Sequence, residues 1–265
     1  MLDGLDHHAA RALLEWQMEL GATEAIGETP VNRYDLPAAA PAPARPAAPA
    51  APVIPAGEDA GVGADPVVAA RAAAQAAPDL ATLAAALAAY DHCELKRGAR
   101  NTVFADGRPG ARIMIIGEAP GRDEDIQGLP FVGRAGRLLD RMFAAIDLAR
   151  DAVDAESALY ITNILPWRPP ENRRPTAEEC AMLLPFVERH VELAGPDLLV
   201  LMGNTPCSAI LGRGGITRLR GNWVEALDRP ALPMVHPAYL LRTPAAKREA
   251  WADLLSLKAR LKEIA

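Results

Sequence analysis

Cysteine is scarce in this chain. Cys93, Cys180 and Cys207 are the three among 265 residues, an odd number without close pairs. That excludes a disulfide framework and fits a reducing compartment. No apolar run approaches the roughly 20 residues of a membrane span. The N-terminus shows no basic stretch followed by an apolar core, so a secretory leader is not expected and a cytoplasmic location is. Basic charge is not in surplus either: 28 Lys and Arg stand against 34 Asp and Glu, a net charge of −6. A non-selective polyanion binder would carry the opposite balance. The phosphate-cradling pattern Gly-x-x-x-x-Gly-Lys-Ser/Thr is missing, and so is the dinucleotide pattern Gly-x-Gly-x-x-Gly.

Large apolar side chains are almost absent between Leu36 and Ala77, where Ala and Pro dominate. Such a stretch buries too little surface to offset the entropy of ordering and reads as a semi-stiff linker. The expected organisation is an N-terminal amphipathic helix within residues 1–26, a disordered linker over 27–79 and a folded domain over 80–265. The apolar residues of the N-terminal helix are Leu13, Leu14, Trp16, Met18 and Leu20. Docking on its own domain and a tethered handle for a protein partner are both open readings of it.

The domain alternates strands and helices. Apolar runs at 112–116, 158–164, 197–202 and 232–235 read as strands. Residues 80–90, 133–146, 176–193, 205–211 and 244–264 read as helices, with Thr176 and Glu179 forming a capping box. Continuously apolar strands separated by helices predict a three-layer α/β/α fold with a central four-stranded, mainly parallel sheet. Ligands of such sheets sit at the carboxyl ends of the strands. The loops after Ile116, Ile161, Met202 and Val235 are therefore the candidates.

The first of these loops, Gly117-Glu118-Ala119-Pro120-Gly121, is a tight turn followed by Asp123, Glu124 and Asp125. Its acids disfavour a phosphate, and an uncharged planar group suits it better. Asn163 ends the second strand and offers one donor and one acceptor, which match a pyrimidine edge; capping the turn is the plainer reading. His236-Pro237 ends the fourth strand and leads into Leu240, Leu241 and Arg242, an apolar tip beside a cation. Apolar tips of this kind are inserted into base stacks. Arg168, Arg173, Arg174, Arg213, Arg218, Arg220, Arg242, Lys247 and Arg248 gather cationic charge in the same half of the chain.

Five segments together resemble the family 4 uracil-DNA glycosylases: Gly117 to Gly121 with Glu124 and Asp125, Leu129 to Gly133, Tyr160 to Asn163, Arg168 to Pro170 with Asn172 and Arg173, and His236 to Arg242. The resemblance spans about residues 93–261. It implies an enzyme that flips uracil out of duplex or single-stranded DNA, hydrolyses its glycosidic bond and acts as a monomer. Implied catalytic residues are His236, which steadies the departing uracil anion, and Glu118. Implied substrate-binding residues are Ala119, Phe131, Asn163 and Glu124. Leu240 would wedge into the DNA, with Leu241 and Arg242 beside it.

Members of that family hold a [4Fe–4S] cluster on four cysteines. The corresponding positions here are Tyr90, Cys93, Trp167 and Leu183, of which one is a cysteine. The expectation drawn from this is that no cluster and no metal is used, with Trp167 and Leu183 filling the space. A second functional reading follows from Ala119, which stands where other superfamily members carry a water-activating Asp: a non-catalytic binder of uracil-containing or single-stranded DNA.

Overall fold

The computed structural model describes residues 65–264. The expected N-terminal helix and most of the expected linker lie outside them. The remainder of that linker is corrected: Pro66–Gln75 is helix α1. Asp65 caps it by accepting from the Val67 N–H at 2.8 Å, and proline sits at a first-turn position where its missing N–H costs nothing. Between Pro66 and Pro78 the run is Ala-rich and free of proline, a good helix former once capped. Ala70, Ala74 and Ala77 are buried, and the Tyr90 hydroxyl donates to the Pro66 carbonyl at 2.7 Å.

Six strands form one sheet in the order β1-β3-β2-β4-β6-β5. The central four are β2 (Ile113–Gly117), β3 (Leu159–Asn163), β4 (Leu198–Met202) and β6 (Arg229–Met234), paired in parallel. This is the expected parallel core. Short antiparallel strands, β1 (Asp106–Gly107) and β5 (Val224–Ala226), close its two edges.

Side-chain alternation sends the strands to two cores. Met114, Ile116, Leu199 and Leu201 face α1, α2 (Leu80–Ala89) and the long helix α6 (Ala177–Ala194). Ile113, Ile115, Leu198 and Val200 face α5 (Arg134–Ala144) and the last helix α10 (Lys247–Glu263). The Thr176 capping box on α6 forms: Thr176 Oγ1 accepts from the Glu179 N–H at 3.2 Å and Glu179 accepts from the Thr176 N–H at 2.8 Å. A short helix α3 (Leu95–Gly98) precedes the sheet. Helix α4 (Arg122–Gln127) follows β2, α7 (Asn204–Leu211) and α8 (Ile216–Leu219) follow β4, and α9 (Pro237–Arg242) follows β6.

The register decides where function can sit. Gly117 of β2 pairs with Asn163 of β3, and Met202 of β4 pairs with Met234 of β6. Four strands therefore end at one level, and their following loops share one rim. From β2 the chain moves first to one side and then to the other, so the rim crosses a topological switch point. Among the described residues no helix is long and apolar enough to cross a membrane.

Candidate active site

A cleft of about 620 Å³ opens along this rim. Glu118, Ala119, Glu124, Phe131, Asn163, His236 and Arg242 all line it, so the four loops converge on one cavity. Gly117 explains how they come so close. A Cβ there would overlap Asn163 Oδ1 and lie 2.6 Å from the Phe131 ring. Asn163 is 7% exposed, and its amide, which takes part in none of the side-chain hydrogen bonds among the described residues, lines the cleft. A nearly buried amide left with its donor and acceptor open is poised for a ligand that supplies both.

His236 lies across the cavity. Its ring stacks on Phe131 with centroids 5.3 Å apart and planes tilted 28°. Nδ1 accepts from the Ala238 backbone N–H at 3.1 Å and caps α9. A backbone N–H can only donate, so Nδ1 carries a lone pair and the proton resides on Nε2. Burial, and then the nearby Arg242, push the His236 pKa down from 6.5 to about 4. The imidazole is thus neutral at physiological pH with Nε2–H as its one donor.

Glu118 is partly buried, and its carboxylate accepts from the Thr205 hydroxyl at the start of α7. Thr205 escapes sequence reasoning because it lies 87 residues away; its place in the loop after β4 was the available signal. Glu124 lines the cleft, yet its oxygens accept from the backbone N–H groups of Gly121 at 3.1 Å, Val132 at 3.0 Å and Gly133 at 2.9 Å. Its carboxylate braces the Phe131 loop and forms the wall beside Gly121.

Two expectations change. Leu240, which the resemblance makes a DNA wedge, is 1% exposed and packs in the core against Leu138, Val235 and Ala250. The turn after His236 is a helix, which points Pro237 and Leu240 inward and leaves Leu241, 37% exposed, as the apolar tip. Of the nine gathered cations, Arg173, Arg174 and Arg242 line the cleft. Arg173 is paired with Glu179, and Arg220 is bound to the buried Asp253.

The family model of the uracil DNA glycosylase superfamily matches residues 104–255, more than half of the chain. The chain belongs to the uracil-DNA glycosylase superfamily. Relatives include the type-4 uracil-DNA glycosylase of Thermotoga maritima, 39% identical over 153 residues that cover 57% of this chain and 77% of the relative. That of Archaeoglobus fulgidus is 37% identical over 171 residues, covering 61% and 82%. That of Sulfurisphaera tokodaii is 36% identical over 176 residues, covering 63% and 77%.

The expectation of no cofactor is corrected by these relatives. Type-4 members of the superfamily are iron–sulfur cluster enzymes, so this kinship argues for a cluster. The residues at the family's ligand positions do not fit one. Tyr90, Cys93, Trp167 and Leu183 are buried in a single apolar core, and the Trp167 indole N–H donates to Thr102 Oγ1 at 3.1 Å. Cys93, Cys180 and Cys207 are buried and free, and among the described residues no three His, Cys, Asp or Glu side chains are placed to hold a metal.

A second histidine shares the neutral state of His236. Burial pushes His190 down from 6.5 to about 3, and its Nε2 and the Tyr160 hydroxyl are hydrogen-bonded at 2.9 Å. Both folded-state values lie below the unfolded one. Between pH 6.5 and about 4 the unfolded chain therefore binds more protons, and stability falls with falling pH. Glu179, whose pKa is lowered by the Arg173 hydrogen bond, keeps its charge until below 4.5, while Asp253, whose carboxyl is pushed up by burial, acts in the opposite sense and offsets part of the histidine loss. Urea unfolding is expected to show a loss of about 3 kcal/mol or more between pH 7 and pH 4.5. Equal stability at the two pH values would contradict the buried neutral state.

Proposed function

We propose that the protein excises uracil from DNA, breaking the C1′–N1 bond and leaving an abasic site for base excision repair. The convergence of an unpaired amide, an aromatic face and an Nε2–H donor in one cleft carries this reading. Uracil in a duplex is out of reach and must be rotated out, at a cost of a few kcal/mol. Phe131 stacks on the extruded ring. The Asn163 amide accepts from N3–H and donates to O4. The bonding pair leaves with the base, and its charge collects largely on O2, where His236 donates. The backbone at Glu118 and Ala119 lines the pocket, and Glu124 walls the side beside Gly121.

Ala119 supplies no base for water, so the bond breaks before water adds to C1′. Glu118, fixed by Thr205, faces the developing sugar cation and orients that water. Arg242 contacts phosphate. We take the enzyme to act as a monomer on duplex and single-stranded DNA, in the cytoplasm and at the nucleoid, with residues 6–20 as a handle for a protein partner.

The test is a uracil-containing oligonucleotide treated with enzyme and then alkali. Strand scission is expected, and retention without scission would favour the binder reading. Leu241 takes over the wedging role first assigned to Leu240. Leu241→Ala is expected to slow excision from duplex by about tenfold and from single strands far less, since the wedge offsets part of the unstacking cost. Leu240→Ala should instead cost about 2–5 kcal/mol of stability. A duplex-specific rate loss in a fully stable Leu240→Ala variant would reverse the two assignments.

A further inference from the structure

Phe131 has a backbone φ of 53°. A bulky residue holds this left-handed conformation only where its surroundings enforce it. Arg150 donates from Nη1 to the Pro130 carbonyl and from Nη2 to the Phe131 carbonyl, each at 2.9 Å. Glu124 accepts from the next two N–H groups, those of Val132 and Gly133. A cation therefore grips the chain entering the kink, and an anion grips the chain leaving it. Gly136 completes the seat, because a Cβ there would overlap the Phe131 carbonyl.

Arg150 is itself fixed. Its Nε and Nη2 bond Asp140 Oδ1 of α5 at 2.9 and 2.7 Å, and Nη1 bonds Asp106 Oδ2 of β1 at 2.8 Å. It does not line the cleft. Its guanidinium is nonetheless the link between β1, α5 and the Phe131 ring that stacks on His236.

We propose that Arg150 is a positioning residue: through the Phe131 kink it sets the angle of the stacking ring, and with it the rate and base selectivity of excision. The proposal rests on the uracil-excision reading. If the grip is released, the kink relaxes toward an ordinary negative φ and the ring turns away from the slot between Asn163 and His236. Lysine cannot replace arginine, because an ammonium is a point donor and lacks the planar fork that serves two carbonyls and two carboxylates together.

Arg150→Lys and Arg150→Ala are compared with the wild type on uracil-containing DNA, below the melting temperature of each. For Arg150→Lys a roughly 10- to 100-fold fall in kcat is expected with KM nearly unchanged, the scale of loss that a misplacement of about 1 Å produces. The His236 ring-proton resonances should shift as the Phe131 ring moves, a signal that needs no substrate. Guanidinium ion at sub-denaturing concentration should restore part of the kcat of Arg150→Ala, and sodium at equal concentration should not. A folded Arg150→Lys variant with wild-type kcat and unshifted His236 resonances would overturn the proposal. So would a kcat loss without that shift and without guanidinium rescue. Should both Arg150 variants fail to fold, Asp106→Asn removes one anchor and should give the same signature on a smaller scale; wild-type kcat and resonances there would likewise overturn it. If the wild type itself fails to release uracil, the functional reading falls, while the His236 shift still decides the clamp.

Discussion

His236→Ala should slow uracil release about 10²- to 10³-fold while leaving affinity for uracil-containing DNA close to that of the wild type. That is the range measured when one preorganised donor to a developing oxyanion is removed, about 2.7–4 kcal/mol. The argument runs through the tautomer. The Ala238 N–H at 3.1 Å occupies Nδ1, so Nε2–H is the donor left free for the base in this reading. A pKa near 4 keeps the ring neutral. The rate should accordingly stay flat through pH 6.5, where an ordinary histidine would titrate. Because His236 also caps α9, alanine removes a cap worth about 1 kcal/mol. His236→Asn separates the two roles, since Asn caps well but is too short to reach the base. Stability should recover in it while the rate does not. Equal losses of rate and affinity, or a rate restored along with the cap, would show that His236 shapes the loop and does not act on the leaving group.

What could be read in advance follows from range. Strands β2 and β4 are uninterrupted apolar runs, β3 is one as far as Thr162, and such runs need no partner to be recognised. The site's polar strand ends, Asn163 and His236, are legible for the same reason: each interrupts an apolar run at its carboxyl end. The edge strand β5 is not legible, because its hairpin turns at Leu227 and Asp228, both with positive φ, where sequence rules look for Asn-Gly. Helix α1 is masked in the sequence because its Ala-rich run adjoins a Pro-rich one, although the two residues act oppositely once a cap is in place. The Leu240 misassignment has a similar cause. Proline directly after a capping histidine is a helix start, and three-residue spacing then sends Pro237 and Leu240 to the same buried side. The residues that hold the site in shape, Arg150, Glu124 and Thr205, had no such signal. Each acts on backbone or side chains 8 to 87 residues away, Glu124 in addition to the Gly121 N–H three residues before it. Phe131 entered only through resemblance, since its left-handed φ is imposed by those contacts and not by its own preference.

Asn163→Asp should lower uracil excision by about 10²-fold or more at pH 8 and restore it in part as the pH falls. Uracil offers a donor at N3–H and an acceptor at O4, and the Asn163 amide answers both. An ionised carboxylate answers only N3–H and turns a second acceptor toward O4, and an unmet or repelled buried polar group costs more than an ordinary hydrogen bond contributes. Asn163 is itself nearly buried, 7% exposed beside Gly117, so the new carboxyl group should hold its proton above the usual carboxylate range. Protonated, it again presents one donor and one acceptor, and the uracil pattern returns. The sign is therefore fixed: the variant's rate rises as the pH drops through its raised pKa, over a range in which the wild-type rate is flat. Single-turnover rates on uracil and cytosine oligonucleotides across pH 5 to 8 read this out, with both pH limits lying on the two sides of any raised carboxyl pKa of roughly 6 to 7. An unchanged uracil preference would remove Asn163 from base reading. A loss of the same size at every pH would mean that the amide holds the β3 turn and meets no base.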